Sequence, residues 1–225
     1  MSNVTHYYAI VKYSKSGLLR YLGHLDIARA FDRAVRRAGI GVKYSEGFSP
    51  RARITFAPPL PVGAEGTQEL CAIELVEPES AEQLFGALSP QLAGFTPAEV
   101  RVKRGTKRSP FAELQVACYD VIPDFADDLK PEQLHRAVVE LMARQEIVIE
   151  RSTKRRTTMI DVRPYIYELH AAGNIVSMCL GMKQETLVKP DEVLTELANI
   201  LGTVSAGWRR LTRTGLYAEI PPQEA

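Results

Sequence analysis

A pattern of strand-forming and helix-forming stretches runs through this 225-residue chain twice, and few architectures accommodate it. Tyr7 to Tyr13 is rich in aromatic and β-branched residues and stops at Ser16-Gly17, which predicts a strand. A helix is expected from about Leu25 to Ala38, because Ile27, Phe31, Ala34, Val35 and Ala38 recur at three- and four-residue steps and Gly39 closes the run. Val42 to Phe56 has strand character at both ends and is interrupted at Glu46-Gly47-Phe48-Ser49-Pro50. After the break at Pro58 to Gly63 come a strand (Gln68 to Val76), a helix (Ala81 to Leu88) and a strand (Thr96 to Lys103). This β-α-β-β-α-β order is the split βαβ, or ferredoxin-like, unit.

The second half repeats the order. Strand character at Glu113 to Val121 leads to an amphipathic helix from Pro131 to Arg144, with proline at its first turn. Ile147 to Arg151 and Met159 to Leu169 are strand-like on either side of a basic loop, and Asn174 to Gly181 is a further strand. A helix from Pro190 to Leu201, ended by Gly202, precedes a last strand from Trp208 to Ile220. The predicted class is α+β: two tandem ferredoxin-like (βαββαβ) units with antiparallel sheets, at 1–107 and 108–225. The length suits two such units. No apolar stretch approaches the roughly 18–20 residues of a membrane-spanning helix, and Met1 to His6 lacks the layout of a secretory signal. A cytoplasmic protein, away from membranes, is the expectation.

Three far-apart cysteines, Cys71, Cys118 and Cys179, form no CxxC-type spacing and read as buried thiols. No Walker loop, GxGxxG, GxSxG or HExxH occurs, and His6, His135 and His170 have no partner at metal-ligand spacing. Neither a metal nor a cofactor is expected.

Charge gives the functional clue. The net charge is +1, but Val11 to Arg53 carries ten Lys/Arg against three acids, while Ala64 to Glu99 carries seven acids and no Lys/Arg. Such segregation can set up a strong local potential on a nearly neutral molecule; the alternative is mutual neutralisation between neighbouring strands. Arg29, Arg33, Arg36 and Arg37 form one stripe of the first helix. They can fork onto phosphate oxygens, or pair with Asp26 and Asp32 as an ordinary solvated face. Lys43, Tyr44, Ser45, Phe48, Arg51 and Arg53 interleave cations with aromatics and a hydroxyl, as single-stranded nucleic acid requires. In the competing reading Tyr44 and Phe48 plug the core. Arg151, Lys154, Arg155 and Arg156 sit at a hydroxyl-rich hairpin tip, and Arg213 precedes Thr214-Gly215, a further candidate anion contact. Arg20 and His24 flank the start of the first helix. His24, with Tyr21 or Lys43, is the alternative catalytic set for a metal-independent endoribonuclease.

Leu22-Gly23-His24-Leu25-Asp26 leads into the Arg-rich helix, and Tyr44-Ser45-Glu46-Gly47-Phe48-Ser49-Pro50 runs on to Arg53-Ile54-Thr55-Phe56 and Leu60-Pro61-Val62-Gly63. Together with Arg151-Ser152-Thr153-Lys154, Asp161-Val162-Arg163-Pro164 and Arg213-Thr214-Gly215-Leu216-Tyr217, these segments resemble a bacterial family of radical-SAM-linked proteins. That family is a domain of unknown function found beside, or fused to, a radical-SAM protein. The resemblance implies a partner enzyme. The radical chemistry itself needs three closely spaced cysteines for its cluster, which this chain lacks. The expected function is therefore a non-catalytic accessory module of a radical-SAM enzyme that binds RNA, tRNA or rRNA, through a basic groove. The alternatives are the endoribonuclease and a protein-docking subunit without nucleic-acid binding.

Overall fold

The computed structural model describes residues 6–106, 109–125, 129–152, 156–183 and 187–221. The chain separates into two compact units, with the division between Glu113 and Leu114. This is later than the expected 107, for a local reason. Residues 109–113 form a turn closed by Ala112 N–H on the Ser109 carbonyl (3.1 Å), and an ion pair of Lys103 with Glu113 (3.5 Å) holds it to the first unit.

In the first unit β1 (His6–Lys15) leads through a 3-10 turn (Gly17–Tyr21) to α1 (His24–Ala38), then β2 (Ile54–Phe56), β3 (Glu65–Leu75), α2 (Ala81–Leu88) and β4 (Thr96–Gly105). The strands pair antiparallel in the order β4-β1-β3-β2, with Val11 opposite both Val100 and Cys71, and Phe56 opposite Cys71. α1 forms because its apolar residues fall on one face. Ile27, Phe31, Ala34 and Val35 are buried, and Gly39 ends the helix at φ 66°, a left-handed cap that suits glycine. Phe31 is the centre of the packing, with ring centroids 4.8 Å from Tyr13, 5.3 Å from Phe95 and 5.4 Å from Phe56.

In the second unit β5 (Val116–Phe125), α3 (Pro131–Ala143), β6 (Val148–Ser152), β7 (Thr157–Asp161), β8 (Ile166–Ala172), β9 (Ile175–Gly181), α4 (Pro190–Leu201) and β10 (Ser205–Tyr217) follow in turn. Here the antiparallel order is β10-β5-β9-β8. The expected strand at Met159 to Leu169 is two elements. β6 and β7 pair with each other as a separate hairpin, and the chain turns at Arg163–Tyr165 before β8 enters the sheet. Pro164 has no N–H to give a ladder. The Arg163 guanidinium donates to the carbonyls of Met142 (2.9 Å), Arg144 (3.1 Å) and Ile166 (3.3 Å), fixing the turn against the end of α3. The Asp161 carboxylate accepts from the N–H groups of Ile147 (2.9 Å) and Arg163 (3.0 Å). Both chain ends of the hairpin are thus tied.

The cysteine expectation needs correction. Cys118 and Cys179 face each other in the β5–β9 register and form a disulfide, while Cys71 alone is a buried thiol, its pKa pushed up by burial. Residues 61 positions apart become neighbours only once the strand register is set, so spacing could not reveal the pair. No helix among the described residues is long and apolar enough to cross a membrane.

Candidate functional site

The Arg-rich helix and the segment after it are joined through one carboxylate. Asp32 accepts from the Ala52 N–H (2.9 Å) and from Arg36 Nε (2.9 Å). Burial pushes the Asp32 carboxyl up. The hydrogen bonds from Arg36 and Ala52, with the charges of Arg36 and Arg51, outweigh burial and leave it below its ordinary 3.8. Arg36 also donates to the Pro50 carbonyl (2.7 Å) and lies over the Tyr44 ring, 4.9 Å from its centroid. Arg37, its neighbour in the stripe, is held by the side chain and carbonyl of Gln91. Two of the four stripe arginines therefore fasten the fold, and Arg36, expected as a ligand contact, is one of them. Asp32→Ala is expected to destabilise the first unit by about 1–2 kcal/mol, measured by thermal unfolding.

The fastened segment is a small hairpin. Arg53 N–H donates to the Lys43 carbonyl (2.8 Å), Ser45 N–H to the Arg51 carbonyl (2.8 Å), and Arg51 N–H to Ser45 Oγ (3.0 Å). Tyr44 and Ala52 bridge across it. At the tip Gly47 takes φ 119°, a conformation that suits glycine. Phe48 is fully exposed and Tyr44 partly so, which overturns the reading of these rings as core plugs. Ser45 supports the stem.

Between α1 and the hairpin lies a cleft of about 570 Å³ lined by Leu25, Ala28, Arg29, Asp32, Arg33, Arg51, Ala52 and Ile54. Three of its lining residues are arginines. Arg29 reaches Asp26 at 3.4 Å in an exposed pair of the kind that contributes little. Among the described residues, no hydrogen bond or ion pair engages Arg33 or the guanidinium of Arg51, which acts on Asp32 only through its charge. Both side chains are exposed in the cleft, whose lining also includes the Asp32 carboxylate.

Lys43 and Arg53 face a different task. The Glu74 carboxylate, nearly buried on β3, is approached by His6 Nδ1 (2.6 Å), Lys43 Nζ (3.0 Å) and Arg53 Nη1 (3.6 Å). Burial raises the Glu74 carboxyl, but hydrogen bonds and charge from His6 and Lys43 prevail and hold it below its ordinary 4.5. The alternative catalytic set is likewise divided. Tyr21 accepts a hydrogen bond from Arg20 (2.9 Å), Lys43 binds Glu74, and the His24 ring stands edge-on to Phe56 at 5.4 Å. No hydrogen bond links the three among the described residues. Arg20 itself also approaches Glu65 (3.6 Å).

In the second unit two expected ligand contacts are taken up within the protein. Arg151 forks onto Glu192 with two bonds of 2.8 Å and donates to the Leu187 carbonyl, so it ties the hairpin to the start of α4. Arg213 is only 3% exposed, because it shares a face of β10 with buried Leu211, two residues back. That period-two alternation is the signal available in the sequence. Arg156 is exposed before β7, and Lys154 and Arg155 lie outside the described residues. Glu74 organises its surroundings without any mark in the sequence, and Arg163, although it lies in the Asp161 to Pro164 segment, meets carbonyls of Met142 and Arg144 that no spacing points to. Among the described residues, no group of three or more His, Cys, Asp or Glu is placed to hold a metal ion.

Comparison with curated proteins returns no match. Among solved structures the chain is similar to one in the crystal structure of the archaeal box H/ACA sRNP Nop10-Cbf5 complex, with 11% identity and TM-score 0.47, over 92% of this chain. The match spans 47% of that chain's length. It is also similar to an unknown protein from Galdieria sulphuraria, with 14% identity and TM-score 0.29, over 94% of this chain and 100% of that one. Residues 9–190 match the family described as "Uncharacterized protein conserved in bacteria (DUF2344)", and the chain belongs to that family.

Proposed function

We propose that this protein is a non-catalytic partner module of a radical-SAM enzyme and that it holds RNA, tRNA or rRNA, along the α1 cleft. We read both units as ferredoxin-like, from their element orders and their strand orders β4-β1-β3-β2 and β10-β5-β9-β8. The observation that carries the RNA half is the cleft itself, where Arg33 and Arg51 face solvent without a carboxylate of their own, beside Arg29. Guanidinium groups fork onto phosphate oxygens, and each contact releases counterions. The partner half rests on the resemblance to radical-SAM-linked proteins and is supported by exposed apolar side chains near the same end of α1. Leu18 is 86% exposed, Leu25 66%, Val62 60% and Tyr21 56%. Leu18 and Tyr21 lie three apart on the 3-10 turn and so share a face. The Gly63 N–H bonds the Arg20 carbonyl (2.8 Å), which brings the Val62 loop alongside.

The test is titration of the purified protein with single-stranded RNA over a range of salt. The expected result is binding at low salt whose logarithm falls linearly with the logarithm of salt concentration. Absence of affinity at low salt overturns the RNA half. Isolation from its native cell with a radical-SAM protein is the expected result for the partner half, and isolation without one overturns it.

A further inference from the structure

We infer that the strand held in the α1 cleft is unpaired and that one of its bases stacks on Phe48; this rests on the RNA reading above and names the form of RNA the site takes. Phe48 stands fully exposed at the tip of a hairpin that is fixed at every level below it. The stem is closed by the Lys43–Arg53 and Ser45–Arg51 bonds, and α1 grips it twice, through Asp32 on Ala52 and Arg36 on Pro50. A phenyl ring left in water forgoes the gain from burying it. Mounted on a restrained stem, it offers a flat apolar face at a fixed place, so less conformational freedom is lost when a flat partner settles on it.

The same hairpin supplies Arg51 and Ala52 to the wall of the cleft. Ring and guanidinium are three residues apart on one rigid element, so a base on Phe48 and a phosphate at Arg51 can belong to one strand. A double helix hides its base faces within the stack and presents only edges and backbone, whereas splayed single strands offer faces to aromatic side chains. Phe48 therefore adds a preference that the arginines alone do not provide.

The experiment compares a fluorescently labelled uridine-rich RNA strand with a blunt RNA duplex of equal length, by anisotropy at fixed low salt, for the wild type, Phe48→Ala and Phe48→Trp. The wild type is expected to favour the single strand about tenfold or more. Phe48→Ala should lose that preference while keeping the salt slope, because no phosphate contact is removed. Phe48→Trp should keep the preference, and its added fluorescence should be quenched when the strand binds. An unchanged melting temperature shows that the variants fold. Equal wild-type affinity for strand and duplex, or strand binding unaffected by Phe48→Ala, overturns the stacking inference and leaves the charge reading standing. Loss of the same size for strand and duplex in Phe48→Ala overturns it too. Failure of the wild type to bind either RNA ends the underlying RNA reading, and this inference with it.

Discussion

Replacing Arg33 and Arg51 together by alanine is expected to weaken single-stranded RNA binding about a hundredfold at low salt, roughly tenfold for each guanidinium–phosphate interaction removed. The slope of log affinity against log salt should shrink by about 1.4, since each phosphate neutralised on a single strand contributes roughly 0.7. Both residues line the cleft, and neither guanidinium is engaged by a carboxylate among the described residues, so their removal should leave the fold intact. The loss should also be uniform across RNA sequences, because phosphate contacts carry no base information. Arg37→Ala is the control. That guanidinium is held by Gln91, so its loss should leave the slope where it was. Titrations at several salt concentrations read both quantities, and a double variant with wild-type affinity and slope would remove the cleft from consideration.

The second large effect concerns stability. Glu74→Ala is expected to destabilise the first unit by about 3 kcal/mol. It removes the carboxylate that binds the amine of Lys43, and it leaves His6 buried beside an empty position. Lys43 and Arg53 are partly exposed and can turn to water, which keeps the figure at the low end for a broken buried ion pair. Glu74 also fixes the sign of the acid response. Its folded pKa is depressed, so its contribution is complete above the ordinary value of 4.5 and disappears as pH falls through the lower folded value. Urea unfolding from neutral pH to about pH 3 should show wild-type stability dropping over that window, with a shallower drop in Glu74→Ala. Identical pH profiles would mean that the carboxylate does not govern the acid limb.

Local pattern carries much of this architecture. The spacing of Ile27, Phe31, Ala34 and Val35 announces α1 and its buried face, and Gly39 announces its end, because helix periodicity and capping are properties of neighbours in sequence. The cation-aromatic run from Lys43 to Arg53 is legible as a place of interest for the same reason. What the individual cations do is not. Arg33 and Arg36 are alike in sequence, yet one faces the cleft and the other is fixed by Asp32, Pro50 and Tyr44. The difference depends on where residues 44–52 fold back. Long-range pairing likewise hides Glu192 as the partner of Arg151 and Glu74 as the meeting point of His6, Lys43 and Arg53. Pairing with carboxylates also narrows the basic surface, since Lys12, Arg20, Arg29, Arg36, Lys43 and Arg53 each approach one. Much of the excess in residues 11–53 is answered locally, and the open part contracts to the cleft. Arg213 misleads for a different reason: its turn-like neighbours Thr214-Gly215 suggest an exposed bend, whereas its place on the Leu211 face of β10 decides its burial.

The Cys118–Cys179 bond has a topological consequence. The chain between its two ends runs through α3, the β6–β7 hairpin and β8 before returning on β9, so these elements lie within a closed covalent ring. No free end exists inside a ring. Unravelling of that part cannot begin by peeling from a terminus, and while the bond holds, end-fraying is confined to the two tails outside it.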